Sequence, residues 1–173
     1  MKQWSTAGVL LCMATVLLWA GDWSIVIPPK EEPGQPMVVE GQVFAEDGET
    51  PLQGVTVHVY HTDVEGYYSP GGRNESQHRL NGTMVTDAEG RYRFKTIRPA
   101  PYPGGEIPAH VHYVISGPGI ARQTFELNFA DDSILSESQR RRWTQQGTFS
   151  RVRPAERDAS GVLHVRRDIR LSR

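Results

Sequence analysis

Residues 55 to 60 read Val55-Thr56-Val57-His58-Val59-Tyr60. Valine alternates with a more polar residue at period two, and β-branched side chains fall on one face, the pattern of a half-buried strand. The same alternation recurs outward in both directions. Met37 to Ala45 is a β-rich run closed by the turn signal Glu46-Asp47-Gly48. Asp87-Ala88-Glu89-Gly90 is a second turn, leading into Arg91-Tyr92-Arg93-Phe94, where Tyr92 and Phe94 share a face. Phe125, Leu127 and Phe129 alternate again, and a last alternating stretch runs from Val162 to Leu171. Ser136-Glu137-Ser138-Gln139 is a capping box that opens a short helix toward Trp143. Short strands at fairly even spacing with one short helix predict an all-β fold, a two-sheet β sandwich.

The chain has 173 residues, room for one domain with a real core. Acids and bases nearly balance, at a formal net charge of -1, and no clustered basic surface marks a nucleic-acid partner. The basic run Arg140 to Arg142 reads as a solvated helix face. Residues 1–20 pair a short basic start with an apolar run from Ala7 to Ala20, read as a secretory signal peptide or, if uncleaved, an N-terminal membrane anchor. Either predicts export to a periplasmic or extracellular space. Residues 21–36, rich in proline and charge, read as a linker, and residues 37–173 as the domain. The one cysteine, Cys12, lies in the leader, so a mature domain has neither disulfides nor thiolate ligands. Any metal must be held by His, Tyr or carboxylates.

His110-Val111-His112 would put two imidazoles on one face of a strand, aimed at one point as metal ligands must be. Alone, such a pair is as compatible with a solvated polar face. Tyr102 sits in Pro99-Ala100-Pro101-Tyr102-Pro103, where flanking prolines limit the backbone. Tyr67 and Tyr68 follow a tight turn, Asp63-Val64-Glu65-Gly66, directly after the alternating strand. Two phenolates and two neutral imidazoles make a hard, anionic site suited to a trivalent ion. A phenol of pKa about 10 ionises at neutral pH only when a strong cation holds it, which points to ferric iron. Gly104, five residues and then His-x-His also fit the start of a cupin motif, but Ser116 and Gly117 stand where its glutamate belongs.

Four ordered segments resemble the intradiol ring-cleavage dioxygenases. Val57 to Ser69 is similar to that family's first ligand segment, Thr86 to Pro99 to its middle signature, Pro101-Tyr102-Pro103 to its second tyrosine, and Pro108 to His112 to its histidine pair. The resemblance spans roughly residues 38 to 130 and implies an intradiol dioxygenase-like sandwich. It implies one non-haem ferric ion (Fe3+) held by Tyr68, Tyr102, His110 and His112, and a reaction of a small aromatic diol with O2 that opens the ring between the hydroxyls. The family's first tyrosine stands two residues after the glycine, which selects Tyr68 over Tyr67. Tyr102 takes the part of the tyrosine that leaves the iron and helps accept the proton of the diol, a catalytic as well as a metal-binding role. The resemblance is closer to a protocatechuate-type core, or to small exported members, than to the catechol-type dimers with their N-terminal helical region.

Two positions depart from the family. Ile107 stands three residues before the first histidine, where an arginine is usual, and Glu126 stands where glutamine is frequent. Both family residues steer charge on the substrate. An arginine elsewhere could substitute, with Arg73, Arg79, Arg98 and Arg122 nearest in sequence. His61 and His78, near the first loop, are expected at the pocket, and His58 and His164 on the surface. The alternative to the enzyme is a non-catalytic exported β-sandwich binding module that keeps the family fold.

Overall fold

The computed structural model describes residues 21–27, 31–69 and 78–172; the leader expected over residues 1–20 lies outside the described residues. The strands are β1 (Ser24–Val26), β2 (Pro36–Phe44), β3 (Thr56–His61), β4 (Leu80–Val85), β5 (Arg91–Ile97), β6 (His110–Gly117), β7 (Ile120–Phe129), β8 (Val152–Arg153), β9 (Glu156–Arg157), β10 (Leu163–Arg166) and β11 (Ile169–Arg170), with one helix, α1 (Glu137–Trp143), before β8. One sheet runs β1-β5-β2-β10-β9, with β11 also on β2, and the other runs β4-β3-β6-β7-β8. The two-sheet β sandwich with one short helix expected from the alternation is the fold.

The alternating strands face one another as their periodicity demands. Val57 and Val59 of β3 are fully buried and lie beside Ile115 and Tyr113 of β6, also fully buried. In the other sheet Val39 of β2 pairs with Phe94 of β5, both fully buried, and Tyr92 lies across from Gly41. These inner faces form one core, and each fully buried aliphatic or aromatic side chain contributes about 1.5–3 kcal/mol against exposure. The turn at Asp87 is built from its own residues: Asp87 Oδ1 accepts from Glu89 N and Arg91 N, and Gly90 takes φ +72°, where only glycine is unstrained.

The helix begins as its sequence dictates. The Ser136 side chain accepts from Gln139 N while the Gln139 side chain accepts from Ser136 N. Glu137 in the first turn and arginines in the last both suit the helix dipole. No described helix is long and apolar enough to cross a membrane.

The folded part starts earlier than the proline content suggests. Residues 24–26, inside the stretch read as a linker, pair in parallel with Arg93, Phe94 and Lys95 of β5. Ser24-Ile25-Val26-Ile27 is an apolar, β-branched stretch upstream of the prolines, with Ile27 buried at the core and Ile25 packed against it. Proline marked the connection between β1 and β2, not the edge of the domain.

Candidate metal centre

Because odd positions of β3 and β6 fill the core, even positions face outward. That places Tyr60 of β3 beside His112 of β6, and Asn128 and Glu126 of β7 opposite His110 and His112. The site therefore stands on the outer face of the five-stranded sheet, under the loops that precede β4 and β6.

Those two loops are tied together by hydrogen bonds. Thr62 Oγ1 donates to Ala100 O at 2.8 Å and Ala100 N donates to Asp63 O at 3.0 Å. The Asp63 carboxylate accepts from Glu65 N and Tyr67 N, shaping the turn that presents Tyr68. As a result the hydroxyls of Tyr68 and Tyr102, 34 residues apart in sequence, share a 2.5 Å hydrogen bond. Tyr68 is buried and Tyr102 half-buried. Tyr67 lines the same hollow of about 480 Å³ as Tyr68, Tyr102 and Ile107, yet it is the Tyr68 hydroxyl that meets Tyr102.

The histidines converge from the strand. His110 Nε2 and His112 Nε2 are 2.9 Å apart. His110 Nδ1 donates to the Pro108 carbonyl at 2.7 Å, which in the neutral ring leaves Nε2 unprotonated, with its lone pair on the side of His112 Nε2. Burial, partly offset by the Pro108 bond, pushes the His110 pKa down. Burial and the charges of His110, His78 and Arg151 push His112 down to about 4. Both rings are neutral at physiological pH, the form that binds metals. The two pairs meet: the Tyr102 and His110 ring centroids are 5.3 Å apart and those of Tyr68 and His112 6.3 Å.

Two ligand atoms at right angles on one cation, each about 2.0–2.1 Å from it, are about 2.9 Å apart. The imidazole spacing matches this, and the two phenol oxygens, joined by one hydrogen bond, lie closer than that. Among the described residues no group of three or more His, Cys, Asp or Glu forms a metal site. The mixed set of two phenols and two imidazoles is thus the candidate centre, and its hardness suits a highly charged ion.

A surrounding set of residues positions these four. The Ala109 peptide, just before His110, is held from both sides: its N–H donates to Asp132 Oδ2 at 2.7 Å and its carbonyl accepts from Asn128 Nδ2 at 3.3 Å. Tyr60 is stacked between His78, 3.7 Å away, and His112, 4.6 Å away. His78 thus stands at the site as expected. His61 does not: it lies on the inner face of β3, fully buried, bonded to Thr62 O and Thr96 Oγ1. Proximity to the loop suggested the pocket, but strand period placed His61 with Val57 and Val59. His58 and His164 face outward, bonded to Thr83 and Asp158.

The charges around the centre are arranged differently from the sequence expectation. Ile107 is 45 % exposed at the mouth of the hollow. Arg79 is committed to Glu32 and Asp63, Arg98 to Asp131, and Arg122 acts on His58; Arg73 lies outside the described residues. The cation that acts on both histidines is Arg151, just before β8. Its Nε donates to Asn128 Oδ1 at 2.8 Å, its Nη2 bonds Glu126 Oε2, and its guanidinium lies 3.8 Å over the Trp143 ring. Burial and Arg167 push its pKa down to about 10, which leaves it cationic at neutral pH. No local pattern marks Arg151 in the sequence, since only the pairing of β8 with β7 brings it to the site.

This fold is that of a known class. The family described as "Dioxygenase" matches residues 23–172. The chain is 33% identical over 147 residues to catechol 1,2-dioxygenase 2 of Acinetobacter lwoffii, covering 72% of this chain and 50% of that protein. Among solved structures it is similar to catechol 1,2-dioxygenase from Pseudomonas arvilla C-1, at TM-score 0.65 and 26% identity over 87% of this chain and 56% of that one. It is also similar to the dioxygenase domain of a dioxygenase carbohydrate-binding protein fusion from Streptomyces sp. SirexAA-E, at TM-score 0.64 and 25% identity, covering 86% of this chain and 89% of that one. The chain belongs to the intradiol dioxygenase family. It spans about half the length of the curated relatives it matches.

Proposed function

We propose that this protein is a non-haem iron(III) dioxygenase that opens an aromatic 1,2-diol between its hydroxyls with O2. The observation that carries the reading is the convergence of Tyr68 and Tyr102 with His110 and His112 from two loops and a strand. Ferric iron held there would supply Lewis-acid and template chemistry for a bound catecholate and O2. Both oxygen atoms enter the product, so a diol and O2 give one ring-opened dicarboxylic acid.

The protein's own groups divide the remaining work. His110 and His112 act as neutral donors, the first oriented by Pro108. Tyr68, buried, is the fixed phenol. Tyr102, half-buried on a proline-bounded loop and lining the hollow, would as a phenolate accept a diol proton at Oη. The leader read in residues 1–20 supports a place of action outside the cytoplasm, with or without an N-terminal anchor.

The test is oxygen uptake by the iron(III)-loaded protein with catechol, hydroxyquinol and larger diols, followed by mass analysis of the product. The reading expects one O2 consumed per diol and a diacid heavier by both oxygen atoms. Iron-loaded protein that consumes no O2 with any diol contradicts it.

A further inference from the structure

We propose that Arg151 is the fixed cation facing the substrate anion at this site, delivered by the β7–β8 connection instead of the segment before His110. The inference rests on the iron and diol reading above and adds to it the residue that sets the charge of the pocket.

Four observations support it. Arg151 bonds Asn128 and Glu126, the two residues directly across the ladder from His110 and His112. It lies against the Trp143 ring, which with the two bonds fixes the guanidinium in place. It lines a second hollow, distinct from the one lined by Tyr68, Tyr102 and Ile107, together with Tyr60, His112, Thr124, Glu126 and Trp143, so it faces open space beside His112. Among the described residues nothing takes its Nη1, whereas Arg79 and Arg98 each spend two nitrogens on carboxylates. A cation held in advance at a partly closed site stabilises developing negative charge without having to reorganise. Ile107 cannot do this.

Glu126 is part of the same device. Paired with Arg151, it offsets some of the positive charge and holds the guanidinium toward β7. The arrangement is a tuned cation, weaker than an unpaired arginine, suited to an aromatic diol that enters as an anion.

The experiment uses the full iron(III)-loaded chain and 4-nitrocatechol as an anionic, slowly reacting probe, followed by its visible absorption on binding. Wild type, Arg151→Met, Arg151→Lys and Glu126→Gln are compared, with iron content and thermal midpoint measured for each. Arg151→Met keeps a long apolar stem against Trp143, and its probe affinity is expected to fall tenfold or more with iron content unchanged. Arg151→Lys is expected to restore part of the loss, and Glu126→Gln, which removes the opposing carboxylate, to bind the probe several-fold tighter. If Arg151→Met fails to fold, the Glu126→Gln arm decides alone. Unchanged affinity in Arg151→Met, or weaker binding in Glu126→Gln, overturns the proposal and leaves Arg151 a brace between β7 and β8. Failure of the iron-loaded wild type to bind the probe at all overturns the diol reading, and this inference with it.

Discussion

Gly66 rests against the carbonyl of Pro101 so closely that a Cβ at position 66 would come within 2.1 Å of that oxygen. Gly66 also has φ +85°, a conformation other residues adopt at a cost of about 1–2 kcal/mol. The pair is where the Tyr68 loop leans on the Tyr102 loop, so the contact sets the distance between the two hydroxyls. Gly66→Ala is expected to cost about 2 kcal/mol or more, lowering the thermal midpoint by about 4–8 °C. Iron retention should fall with it, because the loops must part. Calorimetry with metal analysis checks this, and a variant as stable and as iron-rich as wild type would count against the contact.

Replacing each tyrosine of this region by phenylalanine keeps the ring and removes the oxygen. Tyr68→Phe and Tyr102→Phe are expected to shift or bleach the visible absorption of the iron-loaded protein. Tyr67→Phe is expected to leave it unchanged, since the 2.5 Å contact joins Tyr68, not Tyr67, to Tyr102. Loss of absorption in Tyr67→Phe alone would place the ligand one residue earlier.

Asp132 holds the peptide before His110 through its 2.7 Å bond from Ala109 N, and its other oxygen accepts from Ile134 N. Asp132→Ala leaves a buried N–H without its acceptor, a cost of about 1–3 kcal/mol. Because Ala109 anchors His110, iron affinity is expected to fall about 10–100-fold as well, the range typical when a ligand loses its supporting contact. Chelator competition measures this. A variant that is destabilised but binds iron as tightly as wild type would make Asp132 a structural residue only.

The fold was legible because period-two alternation dominates this chain: Val57, Val59, Tyr92, Phe94, Leu127 and Phe129 all fill the core as their spacing requires. Of the four candidate ligands, strand spacing put His110 and His112 on one face, while Tyr68 and Tyr102, on loops, are what the resemblance over ordered segments implies; the structure brings the four side chains near one another. What sequence could not supply was anything set by long-range pairing. Arg151 reaches the centre only through the parallel register of Asn128 with Val152. His61 departs from expectation for a related reason: it is close to the loop in sequence, but β3 puts its side chain on the inner face. Glu126, singled out by the resemblance, does fall opposite His112, yet its pairing with Arg151 could not be read from either neighbourhood.

The central claim is that two phenols and two imidazoles hold ferric iron, and the most direct measurement is elemental analysis of the purified protein with its visible spectrum. Iron near one per chain, with a broad phenolate-to-iron charge-transfer band that colours the protein red, is the expected result. A colourless protein that takes up zinc but never iron would contradict the ligand assignment and the function built on it.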